Sequence, residues 1–281
     1  MAEQDRQKDL LNRLTFVAFD TETTGLWAPS NRIVEIGAVR FRLDDDRSES
    51  FQSLVNPERP IPEDVIPIHG ITDDMVAEAD PIKPVLERFF EFCGSDSVLI
   101  AHNAPFDISF IYFEMDRCAL KAVTGPILDT VDIYRRFFPG LPGYSLESLS
   151  RHFGITDTQQ HRALADAELV HGLFRHAIKN IPPVDDMATL RDTLTVHDIS
   201  TWEAMADQVP AGFEPLRDAA RQNGRVEMNY GTPGTDPSSR VVQPRQFYAL
   251  GSQFYMQAFC ERANAERTFR LDRITEFKVL E

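Results

Sequence analysis

Apolar and polar residues follow two different periods along this chain, and each change of period marks an element. Phe16 to Phe19, Arg32 to Phe41 and Glu49 to Val55 read as strands, with Asp44-Asp45-Asp46 as a polar turn between the second and third. Pro57, Pro60, Pro62 and Pro67 mark a loop, and Thr72 stands where the N-cap of a helical stretch belongs. Helical spacing predicts a helix over Ile82 to Cys93, with Leu86, Phe89 and Phe90 on its apolar face. Val98 to Ala101 reads as a buried strand, Ile108 to Ala119 as a helix and Ile127-Leu128 as a short strand. Helices over Val131 to Phe138, Leu146 to Phe153 and Ala163 to Ile178 complete the unit. Three meander strands followed by alternating helix and strand imply an α/β domain with a mixed sheet.

The pattern breaks between Asn180 and Pro210. Pro182-Pro183, Asp185-Asp186 and Pro210 interrupt the periodicity, while Trp202 and Met205 suggest a helical piece inside. This reads as a partly helical linker. Beyond it, Phe213 to Asn223 is a short amphipathic helix stopped by Gly224. Strand-like runs follow at Arg225 to Tyr230, Arg240 to Leu250, Gln253 to Cys260, Arg267 to Leu271 and Glu276 to Leu280. Gly231-Thr232-Pro233-Gly234 and Gly251-Ser252 supply turns. One helix and five short strands suggest a small, strongly bent sheet or barrel. The expected domains are residues 1–180, a linker at 181–210, and residues 211–281.

With 281 residues, the chain is long enough for one large or two ordinary domains. An apolar share of 42% and a charged share of 26% describe an ordinary globular composition, and no run approaches 18 apolar residues, so no membrane partner is expected. MAEQDRQKDLLNRL is charged and lacks the apolar core of a secretory signal; a short amphipathic helix fits it better. Cys93, Cys118 and Cys260 form no C-x-x-C pair, which fits free thiols in a reducing cytoplasm. The net charge of −15 argues against a long nucleic-acid footprint. Its distribution softens that argument: residues 211–281 carry 10 Lys and Arg against 9 Asp and Glu, so the acidity lies in the rest of the chain.

The chemistry-bearing residues fall in order within the first domain. Asp20 and Glu22 in FVAFDTETTGL are two residues apart at the end of an apolar run, so on a strand both point to one face. Two such acids repel unless a cation sits between them, and oxygen ligands suit a hard divalent ion. Asp107 closes the run from Ser97 to Phe106, and Asp166 lies in an alanine-rich helical stretch, with His161 ahead of it. Five residues of helix turn through about 140°, so His161 and Asp166 would not share a helix face. His161 is therefore expected on a mobile loop that closes over the site.

These residues carry a resemblance. The chain resembles the DnaQ-like, or DEDDh, 3′–5′ exonucleases over roughly Leu14 to Ile178, through FDTETTGL, HNAPFD and HRALADA. The resemblance implies a ribonuclease H-like fold and a site holding two Mg²⁺ or Mn²⁺ ions. It makes Asp20, Glu22 and Asp166 metal ligands, gives Asp107 a part through one metal or its water, and makes His161 the general base. Two ions together stabilise charge on the phosphate, acidify a water and neutralise the leaving alkoxide, and an imidazole suits the proton removal that remains. The resemblance also puts Thr23, Gly25, Leu26, Ile68 and His69 against the terminal nucleotide, with Leu26 and Ile68 wedging its base. Asn103 would orient the loop presenting Asp107.

The C-terminal segment resembles a WYL domain, a small Sm/SH3-like module, through VVQPRQFYALGSQFYMQAFCE and RTFRLDRITEFKVLE. Only Tyr255 is kept of the eponymous triplet, and no winged helix precedes it. Tyr255, Arg270 and Arg273 are its candidate ligand contacts. The two arginines could equally pair with Asp272 or Glu276, and Tyr248, Phe254 and Tyr255 could offer stacking faces or core.

Taken singly, most of these residues have ordinary readings. Asp107 could cap a helix, His161 could be a solvated loop residue, His69 could be structural, and Asp129 reads as a helix cap that is also a spare acid. Their joint order favours a metal-dependent 3′–5′ exonuclease acting on single-stranded ends, DNA favoured over RNA, in repair or proofreading. An exoribonuclease and a ligand-sensing regulator on an inactive nuclease scaffold are the rival readings. No short clamp-binding motif is read, so a polymerase or repair partner stays open.

Overall fold

The computed structural model describes residues 10–26, 28–121, 125–156, 161–199, 209–231, 237–250 and 253–280, without the side chains of 246, 248–250, 253 and 266. The chain divides into two compact units, Met1–Ile199 and Ser200–Glu281.

The first unit is built on a six-stranded sheet in the order β3-β2-β1-β4-β5-β6. Its strands are β1 (Thr15–Thr23), β2 (Ile33–Arg42), β3 (Ser48–Leu54), β4 (Ser97–Ala101), β5 (Ile127–Asp129) and β6 (Val196–His197). The first three pair antiparallel, β4 and β5 add in parallel, and β6 returns antiparallel. The helices are α1 (Ile66–His69), α2 (Asp73–Val76), α3 (Ile82–Cys93), α4 (Ala104–Arg117), α5 (Thr130–Phe137), α6 (Leu146–His152), α7 (Ala163–Ala177) and α8 (Met187–Thr193). This is the mixed sheet with flanking helices that the ribonuclease H-like resemblance implies.

Alternation along β1 assigns its two faces. Phe16 and Ala18 pack with Val39 and Phe41 of β2 against Ala167, Val170 and Phe174 of α7. Phe19 points the other way, and its ring lies 5.8 Å from that of Phe89 on α3. Even-numbered positions of β1 therefore face α7, and Asp20 and Glu22 fall on that side. The strand also extends further than its apolar run. Pairing continues to Glu22 opposite Glu35, so the two acids lie within the ladder, not beyond its end. Thr21 and Thr23 sustain extended backbone where the apolar signal stops.

Two further boundaries differ from expectation. Helix α4 begins at Ala104, four residues early, which moves Asp107 into its first turn. Pro105 suits that position, because its missing N–H would have no helical partner there. The stretch from Ile181 to His197 is not a linker. Ile181, Val184, Leu190 and Leu194 are buried in the main core, Asp186 caps α8 by accepting from Thr189 N at 2.7 Å, and β6 extends the sheet. Asp186, in a pair that reads as a breaker, begins an element here. Trp202 and Met205 lie outside the described residues, as do residues 1–9 of the expected N-terminal helix.

In the second unit, α9 (Glu214–Arg221) precedes β7 (Arg225–Tyr230), β8 (Ser238–Leu250), β9 (Gln253–Cys260), β10 (Ala265–Arg270) and β11 (Ile274–Leu280). They form a five-stranded antiparallel sheet in the order β10-β9-β8-β7-β11. Pro244 coincides with a shift of register in β8, where its missing N–H breaks no regular ladder bond. Leu216, Val226, Met228, Val242, Phe247, Met256 and Phe269 form this unit's own core. The Gly251-Ser252 turn and Thr232 to Gly234 lie outside the described residues.

Candidate active site

The site begins with a gap in a side-chain layer. Across the β1–β2 ladder, Asp20 stands opposite Gly37 and Glu22 opposite Glu35. A Cβ at Gly37 would lie 2.1 Å from the Ala163 carbonyl carbon and 2.1 Å from Leu164 N. The first turn of α7 thus rests directly on β2 backbone, an approach that only glycine permits. Asp166, one turn along, is carried to the strand acids. One carboxylate oxygen from each of Asp20, Glu22 and Asp166 lies within 4.8 Å of the others. Asp166 is 3% exposed, and Asp20 and Glu22 are half-buried.

Asp107 joins from the opposite side of β1. Its Oδ1 accepts from Thr21 N at 3.0 Å and Thr21 Oγ1 at 2.7 Å, which ties α4 to the residue between the two strand acids. Crowding of these buried groups shows in their acidities. Burial, then the charges of Asp107, Glu22 and Asp166, hold the Asp20 carboxyl well above the usual range. Burial and the neighbouring Asp166 push Glu22 up to about 8. Burial raises Asp107 to about 7, even though the two Thr21 hydrogen bonds oppose the shift. Four carboxylates placed where each disfavours charge on the next are the donor set a hard divalent cation would complete.

Other charged residues support these acids, and of them Glu35 and Glu114 were not foreseen. Glu35 is fully buried, yet its carboxylate accepts from Arg162 Nη2 at 2.6 Å, Arg162 Nε at 3.0 Å, Ala163 N at 3.0 Å and Gln52 Nε2 at 2.9 Å. Burial alone would raise its pKa; the bonds from Arg162, Gln52 and Ala163 overcome that and hold it below the usual value. A sequence signal existed, since a charge inside IVEIGAV needs a partner and HRALADA offers one. Asp129, expected to be a cap, caps α5 through Val131 N at 2.8 Å and also receives Asn103 N at 2.9 Å and Ala104 N at 3.2 Å. It thereby fixes the start of α4, which carries Asp107. The Asn103 side chain makes no capping bond, so this work falls to Asp129 instead. Glu114, 1% exposed, ties the far end of α4 to Arg32 and Arg117.

His161 lies two residues ahead of α7, exposed, with a left-handed φ of 48°. Leu26 and Ile68 are exposed at 83% and 54%, as base-wedging residues would need to be. His69 is not: it is 4% exposed, its Nδ1 accepts from Ile71 N at 3.0 Å, and its ring also lies against the Thr23 backbone of β1. The Thr23 hydroxyl is likewise used locally, donating to Gly25 O at 2.8 Å. His102 is structural, its ring bridging Thr130 and the Tyr144 carbonyl, and burial pushes it down to about 4.

Asp129, Asp132 and His197 form a second group whose ligand atoms lie within 4.8 Å. The three backbone N–H groups on Asp129 give that carboxylate a capping role. In the second unit, Tyr255 and Arg270 are cross-strand neighbours, and Arg270 grips Asp272 through Nη2 at 2.6 Å and Nε at 3.0 Å. Its guanidinium is therefore balanced by an ion pair. Phe254 packs against the local core, Arg273 is half-buried, and the side chain of Tyr248 lies outside the described residues.

Comparison with known proteins supports both units. The family described as Exonuclease, RNase_T, matches residues 17–174, and the WYL domain matches residues 211–279. A PolC-type DNA polymerase III of Listeria welshimeri is 34% identical over 202 residues, which are 72% of this chain and 13% of that protein. The Bacillus cereus PolC-type enzyme is 35% identical over 172 residues, 61% of this chain and 12% of its own. The chain thus spans about an eighth of the length of these relatives. Among solved structures, the nuclease domain of 3'hExo, a DEDDh family member bound to rAMP, superposes with a TM-score of 0.53 at 18% identity, covering 59% of this chain and 92% of that one.

Proposed function

The chain belongs to the RNase_T exonuclease family, and on that premise we propose that it is a metal-dependent 3′–5′ exonuclease that removes nucleotides from single-stranded DNA ends. The observation that carries this reading is the convergence of Asp20, Glu22 and Asp166 within 4.8 Å, with Asp107 adjoining. These four would hold Mg²⁺ or Mn²⁺, two ions per site. Bound there, such ions would supply charge neutralisation at the phosphate and make water more acidic. The chain's own part is to hold the acids in place and to remove a proton. An unprotonated imidazole nitrogen of His161 would accept it from the attacking water, from a position ahead of α7 that is open to solvent. Leu26 and Ile68 would lie against the terminal base.

The polymerase relatives support DNA and a proofreading or repair setting, with a polymerase or a repair protein as the partner. The second unit, a WYL domain, would add affinity for nucleic acid or respond to a nucleotide, through Tyr255, Arg270 and Arg273. Digestion of 5′-labelled and 3′-labelled DNA and RNA oligonucleotides with Mg²⁺ or Mn²⁺, resolved at single-nucleotide steps, tests the reading. A ladder shortening from the 3′ end, faster on DNA, is expected. Release of the 5′ label first, or no cleavage in either metal, would refute it.

A further inference from the structure

The Glu35–Arg162 pair has no part in the chemistry outlined above, yet a wholly buried carboxylate on a central strand is costly unless something answers it. It is answered in a specific place. Arg162 lies between His161 and Ala163, and Glu35 binds both sides of this corner, taking the Arg162 guanidinium with two oxygens and the first helical N–H of α7 with one. The residue before the corner, His161, has a left-handed backbone at φ 48°, a conformation that a side chain-bearing residue keeps only where its surroundings hold it. Asp166 N in turn bonds to the Arg162 carbonyl at 2.9 Å, so the backbone of Arg162 is also the first step of the helix that carries the acid.

We propose that Glu35 and Arg162 are positioning residues that lock the His161–Ala163 corner and so present His161 and Asp166 together to the reacting phosphate. Glu35 is not a fifth metal ligand, because Arg162, Ala163 and Gln52 already occupy both its oxygens. Two links leave the corner, one towards the proposed base and one towards a proposed ligand. Loosening it disturbs both, although neither Glu35 nor Arg162 need touch the substrate. This inference rests on the exonuclease reading for its kinetic consequence and on the acid cluster alone for its effect on metal binding.

The test uses the full chain with Arg162→Ala, Arg162→Lys and Glu35→Gln, and two readouts. Isothermal titration of nucleic acid-free protein with Mn²⁺ reads the placement of Asp166; steady-state cleavage of a single-stranded oligonucleotide reads kcat and KM separately. Arg162→Ala is expected to weaken Mn²⁺ binding and lower kcat, each by about 10–100-fold, the usual effect of losing a group that orients a ligand. KM should stay within about threefold of wild type, and Arg162→Lys, which restores charge but not the two-pronged grip, should recover only part of the loss. The double variant Glu35→Gln with Arg162→Ala should be no worse than Arg162→Ala alone, since Arg162→Ala already breaks the ion pair and the second change removes the charge left unanswered. Removing Arg162 alone leaves the buried Glu35 charge without its cation, so the double variant, which also neutralises Glu35, is the control expected to keep the fold, checked by thermal unfolding. Wild-type kcat and Mn²⁺ affinity in Arg162→Ala would overturn the proposal, as would a raised KM at unchanged kcat, which would make Arg162 a substrate contact. Should the wild-type protein bind Mn²⁺ but cleave nothing, the exonuclease reading fails while the Mn²⁺ comparison still decides the positioning role.

Discussion

Gly37→Ala is the smallest change that should separate the fold of this protein from its site. The added Cβ would meet two backbone atoms of α7 at 2.1 Å, whereas ordinary contact begins at 3.4 Å. Backbone cannot rotate aside like a side chain, so the first turn of α7 must move by about 1.3 Å, the difference between those distances. Overpacking of this kind costs about 1–3 kcal/mol. For a unit of this size that is a fall in melting temperature of about 2–4 °C per kcal/mol. The larger effect should fall on catalysis, because Asp166 rides on the moved turn, and a displacement near 1 Å costs about 10²-fold in rate. The assay pairs thermal unfolding in EDTA with kcat on a single-stranded oligonucleotide in Mg²⁺. A variant that melts a few degrees lower, stays folded at 25 °C and has lost about 100-fold in kcat is the expected outcome. Wild-type kcat in folded Gly37→Ala protein would show that the acids do not depend on this approach.

Asp20→Ala, Glu22→Ala or Asp166→Ala should each abolish hydrolysis while the melting temperature in EDTA holds or rises, since each removes one of several crowded negative charges; near-normal cleavage by Asp20→Ala in Mg²⁺ would remove the metal-site reading. His161→Ala should cost about 10²–10⁴-fold in kcat; near-wild-type kcat in that variant would assign the base elsewhere. Glu22, with a folded pKa of about 8 against an ordinary value near 4.5, binds its proton more tightly folded than unfolded, so its contribution to stability is present at low pH and lost as pH rises between those values. The melting temperature of metal-free protein should therefore fall from pH 5 to pH 8 more steeply than that of Glu22→Gln, and parallel curves would contradict the assignment. Cutting the chain after Ile199 should leave an active nuclease with unchanged kcat, higher KM and a shallower salt dependence, whereas a cut at Asn180 should unfold it by removing Val184, Leu190 and Leu194 from the core; equal solubility of the two fragments would argue against that packing.

Much of this protein is written in local order. The period-2 and helical runs determine nearly every element, since burying one face of each is the only way such patterns are satisfied. The spacing of Asp20 and Glu22 determines that they share a face, whatever the strand packs against. Other features exist only once distant segments meet. Pro182-Pro183 and Asp185-Asp186 read as breakers because their neighbours in sequence do not show that Leu190 and Leu194 have a core to enter. The place of α7 depends on Gly37, more than 120 residues earlier, and a missing side chain leaves no periodic trace. The sequence offers His69 as a nucleotide contact or a structural histidine, and only the fold shows it buried with Ile71 N on its ring. A charge inside IVEIGAV signals that Glu35 needs a partner, but that the partner is Arg162 is decided only when β2 and α7 cross. Local pattern selects the elements because burial acts on each segment's own periodicity. The site is decided by tertiary structure, because its charges are held, raised or cancelled by partners that the chain brings close only by folding.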